Sequence, residues 1–145
     1  MIVATLLGFT IILAMTIYLI QFRNIIQRKY QKTFLRETMG HINSREDIDI
    51  IHGILPSFMY MFLINDEGEV LEHTANKKSI GLNLKSHDQL KDVYSNMLTR
   101  GITGGFTYFD WINAKGEIDT HVGFSKRLDD KNTVILCSEK INLKN

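Results

Sequence analysis

From Met1 to Phe22 the chain has no charged residue, and "IVATLLGFTIILAMTIYLI" is almost wholly apolar. A helix rises about 1.5 Å per residue, so roughly 20 such residues cross the hydrocarbon core of a bilayer. Thr5, Thr10 and Thr16 do not interrupt such a helix, because a hydroxyl can bond back to a helix carbonyl. Residues 1–22 are therefore predicted to form a transmembrane helix, with Ile2, Leu6, Ile11, Leu19 and Ile20 among the anchoring side chains. A cleaved signal peptide would need a basic start, a shorter apolar core and a small-x-small site. Met1-Ile2-Val3 has no Lys or Arg, and the run passes straight into Gln21-Phe22-Arg23.

The residues that follow suffice for one compact core. The net charge of +1 hides an asymmetry, with Arg23, Arg28, Lys29, Lys32 and Arg36 crowded just past the apolar run. Lipid headgroups explain that cluster better than nucleic acid does, since no interleaving of basic and aromatic residues continues into the domain. Phe22, Ile26, Tyr30 and Phe34 fall four apart on one stripe, so the helix is expected to continue over 23–43, with Gly40 as a left-handed cap. That stripe is a candidate contact for a second copy or a membrane-protein partner. The single cysteine, Cys137, excludes an internal disulfide and reads as a small core side chain.

Beyond residue 44 the patterning changes. Ser44-Arg45-Glu46-Asp47 reads as a capping box opening a short helix. "SFMYMFLI" and "EVLEHT" read as a hairpin bent at Asp66-Glu67-Gly68. Ser86-His87-Asp88-Gln89 reads as a second capping box, opening a helix that Gly101 ends. Three strands are expected at about 104–112, 118–127 and 132–139, with turns at Ala114-Lys115-Gly116 and Asp129–Asn132. This order predicts an α+β fold over 44–145: a PAS-like, five-stranded antiparallel sheet behind a long N-terminal helix.

"MFLINDEGEVLEHTANKKSIGLNLKSHDQ" resembles the first strand pair and loop of a Cache domain, with its Asp66-Glu67-Gly68 turn and its Gly81-Leu82-Asn83-Leu84 element. "GGFTYFDWINAKGEIDTHVGFSKRLDDKNTVILCSE" is similar to that family's last three strands. The resemblance covers roughly residues 22–140 and is best for the single-module type. It implies a bacterial membrane-tethered sensor whose ligand, an organic acid, an amino acid or a similar metabolite, sits between the sheet and the long loop. Family members usually bear an output region. None follows the last strand in this sequence, so the module is expected to work through a partner protein or a homodimer. The rival expectation is a structural or chaperone-like adaptor for a receptor, secretion or motor complex.

On the strand 104–112, Phe106, Tyr108 and Asp110 share one face, with Phe109 and Trp111 on the other. Tyr108 and Trp111 are candidate ligand contacts because each offers a polar tip on an aromatic wall. Core packing is the plainer role for both. Tyr60 and His121 are weaker candidates for the same site. Lys126 is a candidate partner for a ligand carboxylate, against the plainer reading of an exposed strand-end lysine. His73 and His121 have no third ligand at metal-like spacing, so no metal is expected. Asp66 and Asp88 are simplest as turn and helix-start residues. No nucleophile and base are paired by sequence, and "GITGG" leads into a strand instead of a helix. No cofactor and no enzymatic activity are expected.

Orientation divides two arguments. Basic residues after the span and none before it predict a cytoplasmic domain. The resemblance implies an extracytoplasmic, periplasmic domain on the bacterial inner membrane, and that habit receives slightly greater weight.

Overall fold

The computed structural model describes residues 2–112 and 115–139, with side chains described over 9–111 and 115–139. The anchor side chains of Ile2 and Leu6, and Asn113 and Ala114 beside the expected turn, lie outside the described residues. The chain divides into two units, Met1–Phe34 and Leu35–Asn145.

The first unit is helical and belongs to α1 (Ile2–Gly40). Every described side chain from Phe9 to Phe22 is exposed, Ile11, Leu19 and Ile20 included. An apolar surface all the way round is unusual for a helix that faces water. Among the described residues one segment, Phe9–Gly40, is long and apolar enough to cross a membrane. The Thr16 hydroxyl donates back to the Ile12 carbonyl at 2.8 Å, so it is satisfied without water. Phe22, Ile26, Tyr30 and Phe34 are all exposed.

The second unit begins with the last turns of α1 and adds α2 (Arg45–His52), β1 (Met59–Ile64), β2 (Val70–His73), α3 (Lys91–Thr103), β3 (Gly105–Ile112), β4 (Ile118–Arg127) and β5 (Thr133–Glu139). The strands form one antiparallel sheet in the order β2-β1-β5-β4-β3. The α+β class and the five-stranded sheet are as the sequence predicts. The capping box at Ser44 also forms: Asp47 Oδ2 accepts from the amides of Asn43 and Ser44 at 2.8 and 2.9 Å, and those bonds hold its pKa below the ordinary carboxylate value.

Three local expectations fail, each for a visible reason. Ser86 does not open α3. The Asn83 side chain accepts from the amides of Lys85 and Ser86, closing a 3-10 turn at Leu84–Ser86, and α3 starts only at Lys91. Gly101 does not end α3. It lies inside the helix, where a Cβ would come within 2.8 Å of Thr133, and Gly104 at φ +74° ends it instead. Gly40 is the last helical residue of α1 but is not in a left-handed conformation.

The end of α1 is sealed by another device. Lys126 Nζ donates to the carbonyl of Ile42 at 2.6 Å, to that of Met39 at 3.4 Å and to Asn43 Oδ1 at 3.0 Å. A cation at a helix C-terminus meets both the unpaired carbonyls and the negative end of the helix dipole. Leu35, Met39 and Ile42 are fully buried there, packed with Ile48 of α2 against Met61, Leu63, Val134 and Leu136.

Lys126→Gln removes that ammonium from two part-buried carbonyls and from the exposed Asn43 side chain. Charge-assisted bonds of this kind are worth about 1.5–3 kcal/mol. Urea unfolding is expected to show a loss of about 2 kcal/mol, and an unchanged midpoint would refute the sealing role.

Candidate functional site

The sheet has two unequal faces. One is filled by the end of α1 and by α2. The other is covered only in part by α3, which buries Tyr94, Met97 and Gly101. The uncovered part of that second face is a cavity of about 310 Å³. This is at the small end of the range for metabolite sites.

The loop between β2 and α3 walls the cavity on one side, and the chain holds that loop with backbone bonds. Val70 N–H donates to Leu82 O at 2.9 Å, Gly81 N–H to Val70 O at 2.8 Å and Leu84 N–H to Gly68 O at 2.8 Å. Gly81 takes φ +85°, a conformation that favours glycine. Gly68, at φ +89°, would place a Cβ 3.1 Å from both Lys85 and Tyr94. The Tyr94 hydroxyl donates to the Asp66 carbonyl at 2.9 Å, tying α3 to the β1–β2 turn. Asp66 is thus a turn residue, as expected, and it also pairs with Arg127 at 2.9 Å.

The floor is set by strand register. Phe109 of β3 faces His121 of β4, which faces Glu139 of β5, and Trp111 faces Asp119 in the next row. Tyr60 lies opposite Cys137, and Phe62 opposite His73. All of these except Cys137 line the cavity. The His121 ring stacks on Phe109 at 5.4 Å, and its Nδ1 is 3.1 Å from the Tyr60 hydroxyl. The His73 ring stacks on Tyr60 at 5.3 Å and on Phe62 at 5.6 Å. Trp111 is steadied by His87, whose ring lies 5.9 Å away.

Burial sets the protonation of these groups. It holds the His73 imidazole down to about 4. The geometry agrees, because His73 Nδ1 accepts from the amides of Asn76 at 2.9 Å and Ala75 at 3.3 Å and so must keep its lone pair. Burial also lowers His121, opposed by the carboxylates of Glu139, Asp119 and Asp110. The Tyr60 hydroxyl and the Cys137 thiol are both pushed up by burial and stay protonated. Among the described residues no three His, Cys, Asp or Glu side chains gather as a metal cage would need.

Of the five residues singled out by sequence, Tyr60, Trp111 and His121 line the cavity. Tyr108 and Lys126 do not. Tyr108 lies on the other face of β3 with Phe106 and is 56% exposed. Lys126 turns to the end of α1, five residues from His121 and hence on the opposite side of the strand. Phe109, Asp119, Glu139 and His73 were missed as wall residues. Pairing β3 with β4 about the Lys115-Gly116 turn would have found Asp119, since it then falls opposite Trp111.

No protein-family model matches the sequence, and no curated protein sequence matches it. Solved structures do match. A methyl-accepting chemotaxis protein from Vibrio parahaemolyticus RIMD 2210633 superposes with a TM-score of 0.61 at 18% identity, over 81% of this chain and 92% of that one. The periplasmic sensor domain of a chemotaxis protein gives 0.59 at 12% identity, over 79% and 96%. A Cache chemosensory domain described for carboxylic acid recognition gives 0.51 at 12% identity, over 85% and 89%. The fold is similar to that of these domains, the Cache domain among them. At identities of 12–18% the likeness is one of fold.

The lowered His73 value carries a stability consequence. The unfolded chain holds a proton on this ring below about 6.5 and the folded chain only below about 4. Folded stability is therefore full above pH 6.5 and falls as pH drops from 6.5 towards 4. Ring-proton NMR is expected to give His73 a midpoint near 4, and a midpoint at or above the ordinary value would refute the buried, acceptor role.

Proposed function

We propose that this chain is a membrane-anchored, non-catalytic sensory module that binds a small metabolite in its Cache-like cavity and acts through a partner protein or a second copy. One observation carries the reading. The cavity is apolar along one side, through Val70, Leu84, Val93 and Met97, and bears converging polar groups at the other, through His121, Asp119 and Glu139. Apolar walls with a few placed polar groups are what small-molecule recognition requires. A face left for core packing alone would be filled by side chains, as the opposite face of the same sheet is.

The ligand classes suggested by the sequence are organic acids and amino acids. The structurally similar Cache domain described for carboxylic acid recognition supports the broad class of small metabolites. The apolar helix supports anchoring in the bacterial inner membrane, and the exposed stripe Phe22, Ile26, Tyr30 and Phe34 is the surface we assign to a partner helix. We place the sensor domain on the periplasmic side, the location named for one of the similar domains.

In this reading the ligand favours one arrangement of the domain over another by its difference in affinity for the two. A thermal-shift screen on the full chain in detergent, against carboxylates, amino acids and amines, tests it. At a hundredfold excess over Kd a ligand is expected to raise the melting midpoint by roughly 5–10 °C. Val93→Trp, which puts an indole into the cavity from α3, is expected to abolish that rise. A silent screen would favour the adaptor role instead. Orientation is read separately: alkaline phosphatase fused after Asn145 is expected to be active and a fluorescent protein there dark, and the reverse result puts the domain in the cytoplasm.

A further inference from the structure

We infer that the cavity takes a metabolite bearing a planar aromatic ring and holds that ring between the ring-lined sheet and the apolar side of α3. The inference rests on the small-molecule reading above and names a chemical class that the reading leaves general.

The first support is where the chain spends its rings. Tyr60, Phe62, His73, Phe109, Trp111 and His121 all line the cavity of about 310 Å³. On the covered face of the same sheet the buried core residues are aliphatic, and Phe106 and Phe124 meet them only half-buried. A face that needs only volume is filled well by aliphatic side chains. The rings are gathered on the face that is left open.

The second support is how those rings are inclined. Tyr60, Phe62 and His73 form one near-parallel set, with His73 at 11° to Tyr60 and at 9° to Phe62. Phe109 and His121 form a second set, inclined at 19°. The Tyr60 and His121 rings meet at 71°. Rings attract one another when offset-stacked or edge to face, with centroids about 4.5–7 Å apart. A flat guest parallel to one set is thus close to edge-on to the other and gains both kinds of contact. A puckered saturated ring or a flexible chain gains neither.

The third support is the helix side. Leu90, at the start of α3, and Val93 and Met97 within it line the cavity opposite the sheet. Met97 is 2% exposed. Its thioether is unbranched and makes favourable contacts with the edge of a ring. His73 does not disturb this apolar setting. Its Nδ1 keeps a lone pair for the amides of Ala75 and Asn76, so it stands in its set as a neutral ring.

Three alcohols of equal carbon count test this on the full chain in detergent: 2-phenylethanol, 2-cyclohexylethanol and 1-octanol. Free concentrations are fixed by dialysis, so uptake into the micelle does not enter the Kd. The chain has one tryptophan, Trp111, which lines the cavity, so its emission reports occupancy directly. The phenyl compound is expected to bind roughly fivefold tighter than either saturated alcohol. Burial of apolar surface alone would not give that order, since the saturated alcohols have no less of it. Phe62→Leu and Phe109→Leu each remove one ring, one from each set. Each is expected to lower the phenyl-to-cyclohexyl preference at least about twofold without weakening 2-cyclohexylethanol. A loss of stability alone would leave that preference unchanged, and either variant serves if the other fails to fold. Equal affinities, a preference for a saturated alcohol, or a preference that neither substitution lowers overturns the inference and leaves the small-molecule reading standing. If none of the three binds, the inference also falls, and the thermal-shift screen alone decides the small-molecule reading.

Discussion

Strands β1 and β5 at the middle of the sheet are buried on both faces, so each face needs a cover other than water. Buried backbone polar groups cannot be left open, and the antiparallel ladder satisfies them. The covers are unlike. The last turns of α1 with α2 close one face with aliphatic side chains. On the other face α3 lies over β3 and β4 and only the near part of β5, and so leaves the rest of that face open. The cavity is the part of a two-faced sheet that one helix fails to fill, kept open by a loop pinned to β2 with backbone hydrogen bonds.

That asymmetry gives β4 two jobs. Its His121 lies on the cavity floor, while Lys126, of opposite strand parity, holds the carbonyls at the end of α1. One strand therefore touches both the candidate ligand space and the terminus of the helix whose earlier residues are apolar. The packing around both contacts is dense, with Val134, Ile135, Leu136 and Cys137 of β5 all fully buried beside it. Such a core resists gradual deformation and favours discrete arrangements.

Much of the fold was legible because its signals are local. The uncharged run, the Asp66–Gly68 bend, the Ser44 capping box and the alternating apolar strands each announce themselves within a few residues. The misplaced start of α3 shows the limit of such signals. Ser86 has the right sequence for a cap, but Asn83 three residues earlier takes the amides first. Gly101 reads as a stop and serves instead as the close contact between α3 and Thr133, a strand residue far away in sequence. The site was half legible for a related reason. Parity alone separates Tyr108 from Trp111 and Lys126 from His121, so no single cavity could use all four. Which parity faced the cavity was not written in either strand, since both faces of β3 are aromatic.

The sequence by itself determined the apolar helix, the α+β class and the succession of helices and strands along the chain, because charge, period and turn chemistry act over a few residues at a time. Only the tertiary structure decided which face stayed open, which acids stood beside Trp111, and where Lys126 spent its charge. Those outcomes depend on strand register and on competition between distant partners for the same hydrogen bonds. Neither is expressed in any short stretch of chain.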